Sequence, residues 1–82
     1  MNAKQIFEAC IDNDAPLDVL NVCGCAADNA ASTINENGGK FVHGHFTEEF
    51  FKFWMLTVEG ILSSGEVSPD AIEWFKSHGV TA

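Results

Sequence analysis

Two stretches of the chain pair potential metal ligands across a single glycine. "NVCGCAADNA" at residues 21–30 holds Cys23 and Cys25, and "KFVHGHFTEE" at residues 40–49 holds His43 and His45. Thiolate and imidazole are ligands that zinc and its neighbours take readily. Geometry decides whether each pair can act together. On a helix, side chains two positions apart point about 200° apart, at about 100° per residue. If residue 24 is helical, Cys23 and Cys25 cannot grip one ion. Paired zinc cysteines also have at least two intervening residues, not one. Cys23 therefore reads as a small apolar core residue, and Cys25 as a residue nearer the edge of that face.

The histidines sit in a different setting. Residues 40–46 read as a short extended connector, in which positions i and i+2 share a face. Both imidazoles would then converge, and Glu48 and Glu49 follow closely enough to offer oxygen ligands. His43 and His45 are thus the candidate metal ligands. The plainer alternative is two solvated loop histidines. "DND" at residues 12–14 lacks the glycine and distal glutamate of a calcium-binding loop.

A second constellation is acidic. Glu8, Asp12, Asp14 and Asp18 crowd a short segment in which Lys4 is the nearest cation. Such a corner can receive lysines and arginines of a partner, or it can be a solvated turn whose aspartates favour a helix start. The whole chain leans the same way. Twelve acidic residues face four lysines, arginine is absent, and the net charge is −8. No cationic footprint for a phosphate backbone can be built from that, so direct nucleic-acid binding is not expected. Anionic membrane surfaces are disfavoured for the same reason. A protein partner with a basic surface is what this charge attracts, and the competing role of the charge is solubility alone.

The elements that must position these residues are helical. Ala3, Ile6, Phe7, Cys10 and Ile11 follow one helix face, predicting a helix over about 2–13. "DNDAP" breaks it. Asp14 or Ala15 is expected to cap a second helix over 16–36, with Pro16 in its first turn. Val19, Leu20, Cys23, Ala26, Ala27, Ala30, Ala31 and Ile34 form its apolar stripe. "NGG" at 37–39 stops it. A competing reading turns a hairpin at that NGG over residues 33–43, against the alanine-rich approach.

Thr47 caps a third helix over 47–64, with Phe46 and Phe51 as a hydrophobic staple. A fourth, over 69–78, has Ser68 as cap and Pro69 as its first residue. Val67 and Ile72 staple its start, and Gly79 closes it with Val80 set to touch Phe75. The expected fold is an all-α, compact four-helix bundle forming one domain over residues 1–82.

Two features of these helices suggest contacts. Gly24 and the alanines of the second helix invite a close neighbour, the bulky third helix first of all. That third helix is apolar nearly all round. Phe50, Phe51, Phe53 and Trp54 cover more than one face, which predicts an interface with a second copy of the chain.

Catalysis is poorly served. No phosphate-binding glycine loop exists, because "NGGK" lacks the rest of that pattern. Nucleophile, base and oxyanion donors cannot be placed together, so no enzyme and no cofactor are expected. "DAPLD" near the second helix start lacks the serine of an acyl carrier's Asp-Ser-Leu. "MNAKQIFEACID" has no secretory apolar run, the apolar stretch at 50–62 is too short to span a bilayer, and three cysteines suit a reducing cytoplasm. The leading expectation is a small acidic regulatory module of the inhibitor or antagonist kind, physically similar to those of phages and mobile elements, binding a basic protein. The runner-up is a small metal- or ligand-binding domain using His43 and His45.

Overall fold

The computed structural model describes residues 2–12, 14–42 and 44–80. Four helices follow one another: α1 (Ala3–Cys10), α2 (Leu17–Glu36), α3 (Glu48–Ser63) and α4 (Pro69–Ser77). There are no strands among the described residues. The hairpin alternative is overturned, because α2 runs through the alanines to Glu36. Gly38 then takes φ +84°, and the Gly39 N–H donates to Ile34 O at 3.0 Å. That is a Schellman end, which a residue with a Cβ would oppose.

The helix bounds differ from expectation in ways that have local causes. α1 is shorter than 2–13. Asn2 caps it through a reciprocal box with Gln5, each side chain accepting from the other's backbone N–H at 2.9 Å. Its C-terminus comes early because Asp12 begins a turn: Asp12 O accepts from Ala15 N–H at 3.1 Å, and Asp12 Oδ1 from Asp14 N–H at 3.4 Å. Ile11 is left exposed rather than on the core face. α2 starts one residue later than expected. Pro16 is itself the N-cap, at φ −58° and ψ 151°, without a side-chain cap bond. Its carbonyl accepts from Val19 at 3.0 Å and Leu20 at 3.2 Å, so proline defines the boundary from outside.

α3 and α4 start and stop as their punctuation implies. Thr47 Oγ1 accepts from Phe50 N–H at 3.1 Å, and Ser68 Oγ from Ala71 N–H at 3.3 Å. Phe46 and Phe51 lie 6.1 Å apart by ring centroids. At the end of α4, Val80 N–H donates to Phe75 O at 2.9 Å, and both side chains are buried.

α2 packs most extensively against α3. The two run antiparallel: Ile34 near the end of α2 shares a small pocket with Thr47 and Glu49, and Asp18 near its start shares a groove with Ser64. Fully buried Ala26 and Ala30 on α2 let the large side chains of α3, Phe50, Trp54 and Val58, sink completely. The Trp54 indole N–H donates to Cys23 O at 3.2 Å, so the buried ring carries no orphan donor. α1 closes one side of the pair and α4 packs along α2. The radius of gyration is 12.1 Å, close to the ~12 Å of a compact domain this long.

Candidate functional site

Phe7 of α1 is the centre of the aromatic cluster. Its ring centroid lies 5.0 Å from Phe46, 5.8 Å from Phe50, 5.5 Å from Phe51 and 5.4 Å from Trp54. The contacts to Phe50, Phe51 and Trp54 are edge-on, the arrangement favoured by the ring quadrupole. Phe41 stacks on Phe50 at 5.3 Å from the connector side. Phe50 and Trp54 are 0% exposed and Phe51 is buried within the chain itself, and Phe53 is half-buried. Within the chain, the rings of α3 are packed by Phe7 of α1 and by Phe41 and Phe46 of the connector.

The cysteines separate as the helical angle requires. Cys23 is buried, and Cys25 is exposed on the other side of α2. Cys23 pairs instead with buried Cys10 of α1. The hydrogen bond between these two thiols, then burial, holds the Cys10 thiol well above the usual range. Cys10 is thus a packing residue with little thiolate character.

The connector is not extended throughout, which corrects the geometry assumed for the histidine pair. His45 N–H donates to Val42 O at 2.9 Å and Gly44 takes φ +87°, so the backbone at Gly44 is not extended. His43 lies outside the described residues. His45 is exposed and lines a pocket of about 270 Å³ with Glu49, but Lys40 lines it too. An ammonium there opposes a bound cation. Among the described residues, no three His, Cys, Asp or Glu side chains gather where an ion could be held.

The acidic residues are at the surface. Glu8 on α1, Asp12 and Asp14 in the turn, and Asp18 in the first turn of α2 are all exposed. They do not share one setting. Asp18 lines a groove that Glu8, Asp12 and Asp14 do not reach.

That groove, about 770 Å³ in volume, was not anticipated. It lies between the first half of α2 and the second half of α3. Asp18, Asn21, Val22 and Cys25 form one wall, and Thr57, Gly60, Ile61 and Ser64 the other. Each set has the i, i+3, i+4, i+7 spacing of a single helix face. Glu66 and Val67 of the α3–α4 loop complete it. The repeated spacing was visible beforehand, but each stripe mixes polar and apolar residues and so carries no amphipathic signal.

The reading of Gly24 also needs correcting. Gly24 is exposed, and a Cβ built on it would meet nothing within 4 Å. It therefore serves no close approach of α3. Gly60 is alike in this respect, and it stands on the groove wall.

No helix of the described residues is long and apolar enough to cross a membrane. Comparison of the chain with protein-family models, curated proteins and solved structures returned no match.

Proposed function

We propose that the chain is a small acidic binding protein that works by capturing a partner protein with a basic surface, in the manner of an inhibitor or antagonist, and not by catalysis. The observation that carries this is the placement of charge. No charged side chain is buried among the described residues, and all twelve carboxylates except half-buried Glu59 are exposed. Glu8, Asp12, Asp14 and Asp18 follow one another across the α1–α2 junction, where a row of lysines and arginines would find complementary charge. Encounter with such a partner is accelerated at low ionic strength and slows as salt screens the field. A reducing, cytoplasmic setting suits the three free thiols.

The test is capture from a cell extract at low salt, with bound proteins identified by mass spectrometry. A Glu8→Lys/Asp12→Lys/Asp14→Lys variant is expected to keep its helical circular dichroism, since all three positions are exposed, and to lose the basic proteins that the parent retains. Equal capture by parent and variant would refute the acidic surface as the recognition element.

A further inference from the structure

We infer that the groove between α2 and α3 takes a basic amphipathic segment of the partner, with an apolar side chain seated between the helices and lysines or arginines beside Asp18 and Glu66. This rests on the reading of the chain as a binder of basic partners and gives that partner a shape.

Three observations carry it. First, the groove joins an apolar floor to an anionic margin. Val22, Ile61 and Val67 supply the floor, Asp18 and Glu66 supply carboxylates, and none of the four lysines lines it. A wholly apolar occupant would leave those charges facing it, and an acidic one would be repelled. A cationic residue next to an apolar one satisfies both parts.

Second, the size and form suit a segment of protein. Each wall extends two helical turns, about 10 Å, with room for one or two anchoring side chains. Exposed Leu56 lies one turn before Gly60 on α3.

Third, Gly60 has no internal reason to be glycine. Its φ is not positive, and a Cβ would touch nothing. A glycine inside a helix weakens that helix. What its missing side chain does provide is open space on the groove wall.

The probe is a fluorescein-labelled synthetic peptide of about 18 residues, built from leucine and lysine so that the leucines fall on one helical face. A scrambled peptide of the same composition controls for charge. The parent protein is expected to bind the amphipathic peptide at least about ten-fold tighter than the scrambled one. Amide shifts in its 15N spectrum should concentrate at Val22, Ile61 and Val67. Gly60→Leu, which fills the groove with a good helix former, should erase that preference without lowering Tm. Alkylating exposed Cys25 with N-ethylmaleimide should do the same by an independent route.

Equal affinity for both peptides, or shifts spread over the acidic surface, would overturn the inference. So would undiminished preference in both blocked forms. The Glu8→Lys/Asp12→Lys/Asp14→Lys variant separates the two ideas, because those residues lie outside the groove. It should weaken both peptides alike and leave the preference. If it leaves both affinities unchanged while Gly60→Leu removes the preference, the acidic corner fails and the groove stands. The reverse pattern removes the groove alone.

Discussion

The two ends of the α2–α3 pair are built from the same helices and finished in opposite ways. At the end near the α2 C-terminus, Ala26 and Ala30 admit Phe50 and Trp54, and Phe7 arrives from α1 to seal them; all five side chains are buried. At the other end, a groove of about 770 Å³ remains along Val22 and Ile61, bordered by Glu66 and Val67 of the α3–α4 loop. Small residues occur at both ends but act differently. The buried alanines are small because something large lies against them, whereas Gly60 is small with nothing near it. Smallness at the closed end serves packing, and at the open end it keeps a surface accessible.

Breaking the closed end should have the largest effect. Trp54→Ala removes the largest fully buried side chain. Truncations of that kind cost about 3–5 kcal/mol. At about 0.05–0.15 kcal/mol per residue, a chain this long has roughly 4–12 kcal/mol in all, so the variant should be near the limit of folding. Urea denaturation followed by circular dichroism reads the loss. Trp54→Phe keeps most of the apolar bulk and deletes the N–H that reaches Cys23 O, so its loss should be much the smaller of the two. Near-parental stability in Trp54→Ala would mean that the aromatic cluster does not hold the bundle together.

What could be read without coordinates, and what could not, follows the same division. The number of helices and most of their ends were legible, because Thr47, Ser68, Pro69, Gly38 and Gly79 act within one turn of themselves. Pro16 was misplaced by one position because a proline suits both the N-cap and the first turn, and only its ψ of 151° distinguishes them. The destination of the aromatics was not legible. Periodicity puts Phe50 and Trp54 on one face of α3 with Phe51 to its side, but that Phe7 stands among them depends on a contact more than forty positions away in the chain. The groove was hidden for a related reason. Neither of its walls is amphipathic, and it exists because of how two mixed stripes face each other. The angular separation of Cys23 and Cys25 was secure because it depends on helix geometry alone.

Gly79 tests the left-handed helix end. At φ +90° an alanine adopts a conformation that costs L-residues roughly 1–2 kcal/mol. Gly79→Ala should therefore lower Tm by several degrees, at about 4–8 °C per kcal/mol in a domain of this size. It also loosens the bond from Val80 N–H to Phe75 O. An unchanged Tm would show that the α4 end contributes little to the fold.

Gly60→Ala is the smallest change, and its sign is the informative part. The position is helical, its φ is not positive, and the added methyl meets nothing within 4 Å. Alanine should stabilise α3 by up to about 1 kcal/mol and raise Tm by up to several degrees. Gly24→Ala should do likewise on α2, where the glycine is equally exposed and unobstructed. A methyl occupies little of a 770 Å³ groove, so Gly60→Ala should keep its preference for an amphipathic peptide where Gly60→Leu loses it. A fall in Tm in Gly60→Ala would show that the glycine serves the fold after all, and the contrast between the two ends would disappear. A rise in Tm with binding retained in alanine and lost in leucine separates the two roles at one residue: stability favours any side chain there, and the open groove favours none that is large.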